Sequence, residues 1–297
     1  MLPESSCRLS AVLDSLESDG RILPGSFVLF VNDGSQDSTW SVIERLHDTD
    51  PRLRGVNLAA NVGQQNALWA GLSVANDLAD AVVSIDADLQ DDVTVIADMV
   101  DSFRRGSDVV YGVRNDRSSD SLFKRSTAQG FYWLMNRLGA KTVYNHADFR
   151  LLSRRAVAFL LSFPERNLFI RGLVPLIGYK SDVVRYERAP RVAGESHYPL
   201  AKMLSFAIDG ITSFSVRPIR LVLSLGVFFV FVALAVLAWT LYSHFSGQTV
   251  PGWSSIMLSI WFCSGCVLIG LGVVGEYVGK IYVEVKQRPR FNILQIL

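Results

Sequence analysis

Short apolar runs that end in polar clusters recur along the first 190 or so residues. Ser26–Val31 (SFVLFV) runs into NDGSQDST, LRGVNL into AANVG, Ala81–Ile85 (AVVSI) into DADLQ, and DVVYGV into RNDR. The runs have strand length and are rich in β-branched residues. Segments with helical periodicity, STWSVIERLH and GQQNALWAGLSVAN, follow two of the clusters. This alternation predicts an α/β fold with a parallel or mostly parallel sheet covered by helices. Ligands of such sheets sit at the carboxyl ends of the strands, where the polar clusters fall.

Beyond residue 195 the pattern changes. Neither Leu221–Ser243 nor Trp253–Gly275 contains a formally charged residue. At about 1.5 Å per residue each is long enough to cross a hydrocarbon core of about 30 Å, so two transmembrane helices are expected. Arg217 and Arg220 precede the first run, Lys280, Lys286, Arg288 and Arg290 follow the second, and the loop between has no Lys or Arg. The positive-inside rule then puts the N-terminal part and the C-terminal tail in the cytoplasm, at the inner face of the plasma membrane. The stretch ESHYPLAKMLSFAIDGITSFSVRPIR reads as an amphipathic helix lying in the interface, although a core-facing helix fits the pattern alone. The expected organisation is therefore an α/β domain over residues 1–195, an interface segment over 196–218, and two spans with a cytoplasmic tail over 219–297.

Composition narrows the function. The 29 Lys and Arg balance 28 Asp and Glu, so no global charge points to nucleic acid, while a mean hydropathy of +0.26 agrees with a membrane protein. The N-terminus MLPESSCRLS lacks the layout of an export signal. Cys7 stands alone, Cys263 and Cys266 lie within an apolar run, and His47, His146, His197 and His244 have no metal-ligand spacing.

The chemistry is concentrated in VVSIDADLQDD, which places four carboxylates directly after an apolar strand. Asp86 and Asp88, separated by the small Ala87, can bring oxygens toward one hard cation, and Gln90 adds a carbonyl. Mg²⁺ or Mn²⁺ takes one or two protein carboxylates and leaves positions for a diphosphate. Asp91 and Asp92 read as the start of the next helix, where negative charge suits the dipole. Asp33, Gly34, Ser35 and Asp37 form a second cluster, which fits either a nucleotide contact or an ordinary βα turn with an N-cap.

Five motifs, VNDGSQDST, SIDADLQDD, DFRLLSRRAV, RVAGESHYPLAKML and GEYVGKIYVEVKQRPRF, occur in this order. Together they resemble the family 2 glycosyltransferases that move a sugar from a nucleotide diphosphate onto a polyprenyl phosphate, the bactoprenol glucosyltransferases and dolichyl-phosphate mannosyltransferases among them. The resemblance implies a GT-A, Rossmann-like catalytic domain. It also implies that Asp86, Asp88 and Gln90 hold Mg²⁺ or Mn²⁺, that Asp33, Gly34, Ser35 and Asp86 bind the donor, and that Asp148 lies at the reacting sugar with Arg150 beside it. Arg114, Arg117, Lys124 and Arg125, with Arg191 and Ser196 of a covering segment, are implied at the acceptor phosphate.

The expected reaction is inverting transfer of a hexose, glucose from UDP-glucose, to undecaprenyl phosphate at the cytoplasmic face. GDP-mannose, UDP-galactose, a UDP-N-acetylhexosamine and UDP-aminoarabinose are alternative donors. The pattern leaves room for a homo-oligomer. In one respect the chain departs from the family: relatives begin with a strand ending in PxYNE-like residues, and this sequence opens on the helix that should follow it. A central position in the sheet is then expected to be vacant, which makes a non-catalytic nucleotide- or lipid-binding protein the contrasting reading.

Overall fold

The computed structural model describes residues 2–88, 90–114, 146–166, 168–187, 217–246 and 252–297. They fall into two compact units: the residues up to 187 together with Gln287–Leu297, and the helices between 217 and 286.

In the first unit α1 (Leu2–Ser18) precedes β1 (Val28–Asn32), α2 (Thr39–Thr49), β2 (Leu53–Leu58), α3 (Gln64–Asn76) and β3 (Ala81–Ser84). A 3₁₀ turn leads into α4 (Ile96–Arg104), then come β4 (Val109–Arg114), β5 (His146–Ser153), α5 (Arg154–Leu161), the short α6 (Ile170–Leu173) and β6 (Ser181–Tyr186). The C-terminal β7 (Ile293–Ile296) completes it. The helices pack on the strands through buried apolar side chains. Ile43 of α2 packs with Phe30 and Leu53, Ala67 and Ala70 of α3 pack with Val56 and Leu58, and Met99 of α4 packs with Val110, Phe149 and Leu151. Side chains of this size contribute roughly 1.5–3 kcal/mol each when fully buried, which is what fixes the helices on the strands.

The strands form two mixed sheets, β1-β2-β7 and β3-β5-β4-β6, rather than one mostly parallel sheet. β1 with β2 and β4 with β6 are parallel, whereas β5 runs antiparallel to both β3 and β4, and β7 antiparallel to β2. Alternation along a run sets which residues face the core but carries no strand direction, so the sequence pattern is equally satisfied by either. β1 and β3 each end the order of their sheet, and they are not bonded to one another. The hydrogen-bonded strand order is thus broken between β1 and β3. α3 packs on both strands across it.

The tail was expected as an extension beyond the spans; instead it joins the first unit. Phe291 and Ile293 pack with Val56 and Leu58, and Ile296 pairs with Val56. Arg290 lays its guanidinium 4.5 Å from the centre of the Trp69 ring and donates to the carbonyls of Phe163 (3.0 Å) and Glu165 (2.8 Å). Stacking on Trp and two charge-assisted bonds together are worth about 1–3 kcal/mol. Arg290→Ala should lower the thermal midpoint and speed hydrogen exchange at residues 163–166; unchanged exchange there would show that the clamp contributes nothing.

In the second unit both uncharged runs are helical, in α7 (Arg217–Phe245, 29 residues) and α8 (Trp253–Lys286, 34 residues). By length and hydropathy, one stretch among the described residues qualifies as a membrane span, Phe262–Lys286, with a mean hydropathy of 1.6 and no burial within the protein. Leu268, Ile269 and Leu271 of α8 and Phe228 and Phe231 of α7 are exposed. The expected interface helix lies almost entirely outside the described residues.

Candidate active site

The NDG turn after β1 is built into the frame. Asp33 accepts from the backbone amides of Val62 (2.7 Å to Oδ1) and Gly63 (3.0 Å to Oδ2), anchoring the turn that starts α3. Gly34 has φ +62°, and a Cβ there would lie 2.3 Å from the Ala60 carbonyl carbon, so only glycine lets the two turns meet. The amide of Ser35 donates to Asn32 Oδ1 (3.4 Å). Asp37 is exposed; hydrogen bonds from the Thr39 side chain and from its backbone amide hold its carboxyl below the usual range, and the amide bond supplies the start of α2 that Ser38 leaves uncapped. Asp33 and Asp37 both accept backbone amides of the turns, and a carboxylate oxygen bonded once still has a lone pair for a ligand.

The same turn reaches the second cluster. Gln64, the first residue of α3, donates to Asp86 Oδ1 at 2.9 Å, so Asp33 and Asp86 lie on either side of residues 62–64. Asp86 and Asp88 are half-buried just past β3, and Gln90 is buried; Leu89 lies outside the described residues. Asp88 Oδ1 accepts from the Gln90 amide (3.2 Å). The two following acids do not share one role. Asp92 caps the 3₁₀ turn through the Thr94 amide, whereas Asp91 is buried and accepts from the Tyr186 hydroxyl at 2.7 Å.

Strand direction brings in the third component. Because β5 is antiparallel to β3, its beginning meets the end of β3, with Ser84 opposite Arg150. Two residues further along each strand, in opposite senses, stand Asp86 and Asp148. Ser84 Oγ donates to the Asp148 carbonyl at 2.7 Å and secures this register. Had β5 been parallel, Asp148 would lie at the far edge.

The Asp148 side chain is buried and held by two arginines. Arg150 Nη2 donates to Oδ1, and Arg171 grips both oxygens, Nε to Oδ1 at 3.1 Å and Nη2 to Oδ2 at 2.9 Å. Arg150 is only 1% exposed, and burial outweighs the attraction of Asp148, drawing its guanidinium below the ordinary value. Asp86 moves the other way. Burial pushes its carboxyl up, the neighbouring Asp148, Asp88 and Asp91 push it further, and Arg171 opposes them.

Sequence reasoning missed Gln64 and Arg171. Arg171 was signalled only by a single charge inside the apolar stretch NLFIRGLVPLIGY. Of the residues expected at the acceptor phosphate, Arg114 ends β4 beside Tyr186 in register, and nothing more is described of its side chain. Arg117, Lys124, Arg125, Arg191 and Ser196 lie outside the described residues.

The donor set suits a divalent cation. Among the described residues no three His, Cys, Asp or Glu side chains are gathered as a full protein cage would need. Mg²⁺ does not need one, since it usually takes about one or two carboxylates and fills its sphere with water and phosphate. The fit is electrostatic: Asp86, Asp88, Asp91 and Asp148 against Arg150 and Arg171 leave two negative charges, and their repulsion adds to burial in raising the Asp86 carboxyl.

The α/β frame thus sets acidic residues at strand ends opposite a buried, arginine-bound aspartate. The chain belongs to family 2 of the glycosyl transferases, whose family model matches residues 8–161. It is a glycosyltransferase. It is 49% identical over 290 residues to the uncharacterized glycosyltransferase YkoT of Bacillus subtilis, covering 98% of this chain and 86% of that protein. It is 42% identical over 268 residues to the SfII prophage-derived bactoprenol glucosyl transferase of Shigella flexneri, covering 90% and 86%. The prophage bactoprenol glucosyl transferase homolog of Escherichia coli is 40% identical over 271 residues, covering 91% and 88%.

Proposed function

We propose that this protein transfers a hexosyl group, glucose from UDP-glucose, onto a polyprenyl phosphate such as undecaprenyl phosphate at the cytoplasmic face of the membrane. The observation that carries the reading is the 40–42% identity, over nine-tenths of the chain, to relatives named for glucosyl transfer to bactoprenol. In this reading α7 and α8 both cross the bilayer and hold the α/β unit where the lipid presents its phosphate. GDP-mannose and other UDP-sugars remain the alternative donors.

Asp33, Gly34, Ser35 and Asp86 bind the donor, and Asp86 and Asp88, with Gln90, are the residues that would hold Mg²⁺ or Mn²⁺. When bound, that cation neutralises charge on the departing nucleotide diphosphate. The lipid phosphate, with a second pKa of about 6, is already largely dianionic at neutral pH and needs little help from a base. Its oxygen forms the new bond to the anomeric carbon as the bond to the nucleotide diphosphate breaks, which inverts the centre. Asp148, fixed opposite Asp86, faces the sugar and stabilises the positive charge that develops on it. Arg114, Arg117, Lys124, Arg125 and Arg191 offset the repulsion between anionic acceptor and anionic donor, and Ser196 meets the acceptor phosphate from the covering segment.

The test is incubation of membranes containing the protein with undecaprenyl phosphate and a panel of labelled nucleotide sugars, with Mg²⁺, with Mn²⁺ and with EDTA. Lipid-linked glucose formed only with metal is the expected product. A different labelled sugar on the lipid would replace the donor, and no lipid-linked sugar from any donor would overturn the reading.

A further inference from the structure

The arginine that grips Asp148 comes from a separate segment, and the way that segment is held suggests its task. Arg171 lies on α6, where Ile170 and Leu173 are 1% and 2% exposed, so the backbone that carries it is locked in the core. The Ile170 amide donates to Gln65 Oε1 at 3.0 Å. Gln65 is the second residue of α3, and the first, Gln64, donates to Asp86. Adjacent glutamines on one helix end thus reach the two acidic components of the site: Gln64 holds Asp86 directly, and Gln65 reaches Asp148 through α6 and Arg171. Upstream of α6, the carbonyls of Phe163 and Glu165 are clamped by Arg290.

A planar guanidinium bonded through Nε and Nη2 fixes a carboxylate in rotation as well as position, which a point charge cannot do. Arg150 donates to Oδ1, whereas the Arg171 fork spans both oxygens and so opposes rotation about the side-chain bond.

We propose that Arg171 is a positioning residue for glycosyl transfer: its fork, indexed to the metal-side carboxylate through α3, sets the orientation of Asp148 toward the sugar. This rests on the glycosyl-transfer role proposed above for Asp148. Misplacing a reacting group by about 1 Å costs about 10²-fold in rate, and that is the loss expected.

The experiment measures kcat and donor KM for the full chain in liposomes containing undecaprenyl phosphate, with UDP-glucose, for Arg171→Ala, Arg171→Lys and Gln65→Ala. Arg171→Ala and Arg171→Lys should each lose about 10²-fold in kcat with donor KM changed less than about threefold. Guanidinium at sub-denaturing concentration should restore at least about tenfold to Arg171→Ala and nothing to Arg171→Lys, since lysine blocks the space without supplying the fork. Gln65→Ala, which keeps every charge, should lose about tenfold in kcat alone and covers the case in which Arg171→Ala does not fold. Wild-type kcat in Arg171→Lys shows that charge suffices and overturns the proposal; so does a loss confined to donor KM, or one that guanidinium leaves untouched in a folded Arg171→Ala. If only the lysine and Gln65 variants fold, unchanged kcat in either overturns it. A wild-type chain that makes no lipid-linked sugar overturns the underlying reading and this assignment with it, an outcome distinct from an active wild type beside an equally active Arg171→Ala.

Discussion

Asp148→Asn is expected to lower turnover by about 10²–10³-fold while donor KM stays within about threefold. The reasoning begins with what the substitution removes. Asparagine keeps the shape, but its neutral amide cannot stabilise positive charge on the sugar. Its nitrogen also turns a donor toward one of the two guanidiniums. Arg150, buried with its side chain 1% exposed, then loses its charged partner. Breaking a buried pair from one side costs about 3 kcal/mol or more, so the variant should also melt earlier. Turnover and stability are separated by Asp148→Glu. That variant restores the charge on a longer arm and should recover much of the midpoint while remaining slow, because position decides the rate. Wild-type turnover in a folded Asp148→Asn would remove this residue from the chemistry.

The parts of the site that the sequence revealed are those encoded locally. The apolar runs ending in NDG and DAD mark strand ends, and strand ends of an α/β fold meet ligands, so the sequence alone makes Asp33, Asp86 and Asp88 candidates. What the pattern could not supply was direction and long-range partnership. The alternation in HADFRLLS satisfies a parallel strand as well as an antiparallel one, yet only the antiparallel course sets Asp148 opposite Asp86. Likewise Arg171 and Asp148 are 23 residues apart and share no period; the fork between them is a product of tertiary packing. The tail shows the same limit. ILQI is short and follows an apolar helix, and nothing local announces that it returns to pair with β2. The uncharged stretches were the reverse case. Loss of charge over a long stretch is a one-dimensional signal, and both stretches are helical, although among the described residues only Phe262–Lys286 qualifies as a membrane span.

Asp86→Asn should abolish transfer and, in the absence of metal, make the protein more stable at neutral pH. Asp86 stands half-buried among Asp148, Asp88 and Asp91, and its carboxyl is raised above the ordinary carboxylate range. A carboxyl raised in the folded chain binds its proton more tightly folded than unfolded. Its contribution to stability is complete below the unfolded pKa of about 4 and is lost as pH rises through the higher folded value. The wild type loses that contribution as its carboxyl ionises; asparagine never ionises and cannot lose it. The thermal midpoint in EDTA should therefore fall from pH 5 to pH 7 more in the wild type than in Asp86→Asn, with the variant melting a few degrees higher at pH 7. Gln64 can still donate to the asparagine oxygen, so the geometry of the turn is retained. Mg²⁺ supplies the discriminating arm, since a ligand that binds the folded form raises its midpoint by mass action. Added Mg²⁺ should raise the wild-type midpoint at pH 7 and leave that of Asp86→Asn almost unmoved. Equal metal responses would take Asp86 out of the cation site. A wild-type midpoint that rises between pH 5 and 7 faster than the variant's would contradict the raised Asp86 carboxyl, to which burial and then the neighbouring carboxylates contribute.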